Sequence, residues 1–218
     1  MSEMPRKTYQ EASNDKGRSI QKLIDAVGTV IKTKGYTGLT ATNISRAAGL
    51  NRKLIMLYFG TVDNLIETYV RGKDYWLAAS GEAAGLIKDN KGENTKDILE
   101  SLLHNQMEHI FNDQEMQKII LWQISESTKI MKEVSEEREL LSQQFFALSD
   151  QELQGKNIDL RAVSALLVAG IYYLVLHAKS TDTLVCEIDL NTPDGMSRIK
   201  DAISLILENI YQDKLPHK

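Results

Sequence analysis

The sequence predicts an all-α chain of about nine helices, a small N-terminal head followed by a larger helical body. Three observations carry this. Only 3 of 218 residues are Pro, 6% are aromatic and alternating β-branched runs are few, so helices meet few breaks and strands little support. Apolar residues recur at i, i+3 and i+4 through most long segments. Glycines and polar clusters fall between those segments, where helices stop.

Residues 1–17 are polar and mixed in charge, so a mobile arm is expected there. Lys16 and Arg18 are placed where an arm can touch a sugar-phosphate backbone or a minor groove, and a tail without contacts fits the same composition. A first helix is expected over 19–34, with Ile20, Leu23, Ile24, Val27, Val30 and Ile31 on one stripe. Lys32 and Lys34 complement its C-terminal dipole and Gly35 supplies the stop.

The stretch 40–59 organises the head. Thr40 is a natural N-cap, with Asn43 placed to reach back toward it. Ile44, Ala47 and Ala48 form one apolar face, and Gly49 stands where a chain leaving a helix needs positive φ. Asn51 can cap a second short helix from Arg52 to Tyr58. Two short helices joined by a Gly turn make a helix-turn-helix, whose second helix can enter a DNA major groove; plain core packing fits the pattern too. Arg52 is the candidate for direct base readout, because a guanidinium can bridge O6 and N7 of one guanine, and Lys53 suits a phosphate. Ile44, Ala48, Leu50, Ile55 and Phe59 read as the small core beneath.

Charge is divided in the same way. Residues 1–59 carry ten cations against four carboxylates, a net +6, which leaves −10 for the remaining 159 residues of a chain whose net charge is −4. A basic head on an acidic body suits a phosphate-binding module joined to a ligand- or partner-binding one, though a solvated basic face gives the same balance.

Ala26, Gly35-Tyr36, Thr40, Ile44, Ala47-Ala48-Gly49-Leu50, Arg52, Tyr58-Phe59 and Leu65 form an ordered set. On these residues the run 20–65, about a fifth of the chain, resembles the DNA-binding domain of the TetR family of bacterial transcriptional regulators. The resemblance implies an N-terminal three-helix helix-turn-helix domain over 18–62. It also implies an effector-binding and dimerisation domain over 63–213, with a tail at 214–218. It implies a ligand-responsive regulator that binds a double-stranded DNA operator and an unidentified small molecule. In this family repression, released by the ligand, is the commoner output. By position in the family pattern, Thr42 and Tyr58 approach DNA as well. Two positions depart from the pattern: Met56 replaces a usual tyrosine and Val62 a usual lysine, both common phosphate contacts. Leu54, Ile55, Met56 and Leu57 are four apolar residues in a row, so some must face outward, toward thymine methyls or toward a protein. The alternative reading is therefore an effector- or protein-binding homodimer with a degenerate DNA-binding head.

Beyond the head, Thr61 can cap a fourth helix over 62–88, in which Gly72, Gly81 and Gly85 allow a kink or early end. A polar loop is expected over 89–95, then helices over 96–112, 115–125 and 126–154. The resemblance puts a small-molecule pocket in this region. His104, Met107, Trp122 and Phe145 are plausible lining residues, and ordinary core explains each of them as well. A helix over 159–179 holds the most apolar stretch; its 162–176 segment is short for a bilayer span, which needs about 20 residues, so a helix buried on several sides is expected rather than a membrane contact. A last helix over 195–212 follows a polar connection. These two long helices suggest a four-helix homodimer interface through Leu166, Leu167, Gly170, Leu174, Ile199, Ile203, Ile206 and Ile210; a hairpin within a monomer is the other arrangement.

Catalytic patterns are missing. No phosphate-cradling glycine loop and no GxSxG elbow occur. His104 and His109 lie about 140° apart around a helix, poorly placed to share a metal. His177, His217 and the single cysteine, Cys186, are isolated. No catalytic residue, metal or cofactor is expected, and the chain does not read as an enzyme. The lone cysteine and the absence of an apolar leader suit the cytoplasm.

Overall fold

The computed structural model describes residues 9–77 and 93–212 and divides the chain into two compact units, Met1–Lys73 and Asp74–Lys218. The predicted all-α class holds among the described residues, where the only β feature is an isolated bridge between Val185 and Ile188.

In the first unit, α1 (Tyr9–Lys34) leads through a 3-10 turn (Tyr36–Gly38) to α2 (Ala41–Ala48), α3 (Lys53–Phe59) and α4 (Val62–Lys73). The expected arm is corrected here: α1 begins ten residues before 19, so Lys16 and Arg18 stand on a continuous helix. The extension is polar in sequence, supported locally by an ion pair from Arg18 to Asp15 at 3.1 Å and by Ser19 donating to the Asp15 carbonyl, and residues 1–8 lie outside the described residues. Leu23, Val27, Val30 and Ile31 of α1 bury against α2 and α4, with Ile44, Ile55, Leu65, Ile66 and Val70 completing the core. The fourth helix, assigned on sequence to the second domain, packs on α1 and α3 and ends at Lys73. What stops it is Asp74, whose side chain turns to accept the backbone N–H of Leu77. The chain is helical again at 75–77, and residues 78–88 of the expected helix, with most of the 89–95 loop, lie outside the described residues.

The second unit holds α5 (Thr95–Asn112), α6 (Gln114–Ser125), α7 (Lys129–Glu152), α8 (Leu160–Thr181) and α9 (Pro193–Tyr211). Four of these start at a side-chain cap that ordinary propensity selects: Asp113 for α6, Thr128 for α7, Asp159 for α8 and Thr192 for α9. α5 is the central helix, packed on α6, α7, α8 and α9. Its start is tied to two other helix ends: the Thr95 N–H and hydroxyl donate to Glu152 at 2.8 and 2.6 Å, and the hydroxyl also meets the Tyr211 hydroxyl at 2.8 Å. α8 is 22 residues long and its most apolar window has a mean hydropathy of 1.7, so length alone does not separate it from a bilayer span, contrary to the shorter estimate from its apolar segment. α5 and α6 pack on one side of it, yet only 28% of its apolar window is buried within the chain.

Candidate functional site

The head places α3 by backbone geometry fixed at both ends. Thr40 is extended (φ −119°, ψ 153°) and its hydroxyl accepts the Asn43 N–H at 3.2 Å. The Asn43 amide reaches past the cap to donate to the Gly38 carbonyl at 2.9 Å, and Lys34 donates to its oxygen at 3.0 Å. Gly49 adopts φ 64°, ψ 29°, and the N–H groups of Gly49 and Leu50 return to the carbonyls of Arg46 and Ser45. The Asn51 side chain then accepts the Lys53 N–H at 2.9 Å, and Arg52 already has helical dihedrals. At the far end Gly60 (φ 75°) turns the chain, Thr61 accepts the Asn64 N–H at 3.0 Å and the Asn64 amide donates to the Phe59 carbonyl at 2.9 Å. Helix-turn-helix geometry follows from these caps.

Thr42, Arg52 and Lys53 are exposed, whereas Tyr58 is half-buried. Ile55 is fully buried beneath α3, while Met56 and Leu57 are 60% and 71% exposed. Lys16 and Arg18 are exposed on α1. Between Ala26 and Val62 the sequence has five cations and no carboxylate, so the positive field is concentrated on the segment that carries α2 and α3.

In the second unit the expected lining residues divide. Met107, Trp122 and Phe145 are buried on α5, α6 and α7. His104 turns instead toward α9, with Nε2 at 3.2 Å from the Lys200 carbonyl and 3.4 Å from the Ser204 hydroxyl. Beside it the Ser204 hydroxyl, at 2.6 Å, and then Lys96 hold the Glu100 carboxyl below its ordinary range. Sequence reasoning missed a polar group on α5. Gln106, fully buried, donates to the Tyr172 hydroxyl at 3.2 Å, which also takes the Trp76 indole N–H at 3.3 Å. Among the described residues, the buried polar side-chain atoms without a partner are Gln106 Oε1, His109 Nε2 and Ser164 Oγ. The Tyr75 ring lies 5.4 Å from both the Trp76 and the His109 rings. A glutamine at 106 on the apolar stripe through Leu99, Leu103 and Ile110 was the available signal. No three His, Cys, Asp or Glu side chains gather into a metal-holding group among the described residues.

No family sequence model and no curated protein sequence matches the chain. Solved structures do. A FadR transcriptional regulator from Bacillus subtilis, solved with stearoyl-CoA, superposes with a TM-score of 0.64 at 16% identity, over 86% of this chain and 96% of that one. FadR, a fatty acid degradation regulator from Bacillus halodurans, gives 0.61 at 15% identity, over 98% and 100%. NalD of Pseudomonas aeruginosa, a secondary repressor of the MexAB-OprM multidrug efflux pump, gives 0.62 at 17% identity, over 87% and 95%. The chain has the fold of the TetR-family regulators.

Within this TetR-like fold, α8 and α9 each carry exposed apolar side chains. Leu166 is 74% exposed, and Tyr173 on α8 with Leu205 and Ile206 on α9 also face solvent. Leu167, Gly170, Leu174 and Ile199 are partly buried. Ile203 and Ile210, expected at a subunit interface, are corrected: both are buried in the protomer, where α9 packs on α5. A stripe at helical spacing has two apolar sides here, and the outward one passes through Ala202, Leu205 and Ile206.

Proposed function

We propose that the chain is a ligand-responsive, DNA-binding transcriptional regulator that acts as a homodimer and is released from its operator by a small molecule. The observation that carries this reading is the presentation of Arg52 and Lys53, exposed at the start of α3 and held there by the Asn51 cap and the Gly49 turn. In a dimer, two such helices can meet successive major grooves about 34 Å apart. An effector that favours another separation weakens binding through its differential affinity, on the order of 1–3 kcal/mol. A retention assay with upstream genomic fragments at low salt tests the reading. Salt-sensitive retention that Arg52→Ala abolishes supports it, and no retention on any fragment overturns it.

The second unit supports the effector half of the proposal. Met107, Trp122 and Phe145 supply buried apolar side chains on α5, α6 and α7, and Gln106 and His109 supply unpaired polar atoms. Since one structural neighbour was solved with stearoyl-CoA, long-chain acyl thioesters are the first ligands to test, by thermal shift and by loss of DNA retention. The outward apolar faces of α8 and α9 support pairing with a second copy in place of a lipid contact. The exposed Met56 and Leu57 favour one second reading, a head that binds protein instead of DNA, and the same retention assay separates the two.

A further inference from the structure

Four consecutive apolar residues cannot all face the core of one helix, and the structure sorts Leu54, Ile55, Met56 and Leu57. Ile55 is fully buried and Leu54 half-buried, while Met56 and Leu57 stand in solvent. At 100° per residue, Arg52, Lys53, Met56 and Leu57 share an arc of about 140°, the two apolar residues one turn after the two cations. Among the described residues of the first unit, Met56 and Leu57 are the large apolar side chains that are strongly exposed.

We propose that Met56 and Leu57 read thymine in the major groove through its 5-methyl group, so that thymine contacts determine which operator this head selects. The inference rests on the DNA-binding reading given above. Three features fit a groove in preference to other occupants. The apolar pair is flanked by Arg46, Arg52 and Lys53 in a segment without carboxylates, which matches a methyl-lined floor between two phosphate walls. Two side chains fall far short of the roughly 800 Å² per partner that a stable protein interface buries. The thymine methyl is the one apolar group that any base pair presents in that groove, and an unbranched thioether such as Met56 can adapt to its position.

The test puts the change on the DNA, so that no protein variant needs to fold differently. Duplexes that bind the full-length protein are selected from a randomised pool at low salt. The best one is then resynthesised with each thymine replaced in turn by deoxyuridine, which deletes only the methyl. Affinity is expected to fall about fourfold for at least one thymine in each half-site. Met56→Ala or Leu57→Ala, both at exposed positions, should weaken binding to the thymine duplex and bind the thymine and uracil forms equally. If uracil is tolerated at every position, or if both variants keep the full uracil penalty, the methyl contact is overturned and the DNA-binding reading stands. If no duplex is enriched, both fall.

Discussion

Breaking the buried ion pair at the start of the second unit should cost more than any other single polar change in that unit. Asp74 is 0% exposed; its Oδ2 accepts from Nε of Arg138 at 2.8 Å and from Nη2, and its Oδ1 accepts the Leu77 N–H at 3.1 Å. Arg138 in turn donates through Nη1 to Gln123 at 2.8 Å, and its side chain is only 11% exposed. Arg138→Ala leaves a desolvated carboxylate with one backbone donor, a loss of about 3–5 kcal/mol against a typical domain stability of about 5–15 kcal/mol. Replacing both partners by apolar residues, as in Asp74→Leu with Arg138→Met, should cost less than Arg138→Ala alone, because neither charge is then stranded. Urea unfolding followed by circular dichroism, at one fixed protein concentration, measures both. If Arg138→Ala loses under about 1 kcal/mol, or if the double variant is as unstable as the sum of the singles, the pair is not the buried unit argued for here.

Thr40→Ala removes the cap of α2 and should lower the stability of the head by about 1 kcal/mol, read as a shift in its thermal unfolding. Leu166→Glu puts a charge into the outward face of α8; sedimentation should then find the 24.6 kDa protomer where the unaltered protein, on the reading proposed above, sediments as a dimer. Glu100 has its carboxyl held low by Ser204 and Lys96, so the contribution it makes to stability is present above its ordinary value of 4.5 and is lost as pH falls through the depressed folded value. Glu100→Gln should flatten the acid limb of a pH–stability curve measured in urea.

Local chemistry made the helix-turn-helix legible. Thr40, Gly49, Asn51 and Thr61 each act within four residues of their partners, and all four perform the capping or turning role their residue types imply. The helices after residue 112 were legible for the same reason, since their starts coincide with Asp or Thr signals. α1 was misjudged at its start because apolar periodicity begins at Ile20, and an extension of polar residues leaves no periodic trace. The end of α4 was misjudged because apolar positions continue past it, while Asp74 takes the Leu77 N–H on one oxygen and meets Arg138, 64 residues away in sequence, on the other. Periodicity put Ile203, Ile206 and Ile210 on one stripe, but only packing on α5 decides that the first and last face inward.

The same limit explains why the polar atoms of the second unit were missed, and it bears on what the unit can do. A buried acceptor without a donor costs about 1–3 kcal/mol, a penalty that an apolar residue of similar volume would avoid. Gln106 Oε1 carries that penalty on the residue that donates to the Tyr172 hydroxyl, and His109 Nε2 is a second unpartnered atom, on a ring beside that of Tyr75. On the reading proposed above, a ligand that supplies one donor to Gln106 gains a bond to a buried acceptor, and it gains nothing in a conformation that turns the amide elsewhere. That difference is of the size a regulator needs, since one such bond matches the 1–3 kcal/mol coupling that moves an operator equilibrium about 5- to 150-fold. A purely hydrocarbon ligand would make no use of these atoms. On the reading proposed above, discrimination among effectors would therefore fall to the polar end of the ligand, with buried apolar side chains contributing affinity.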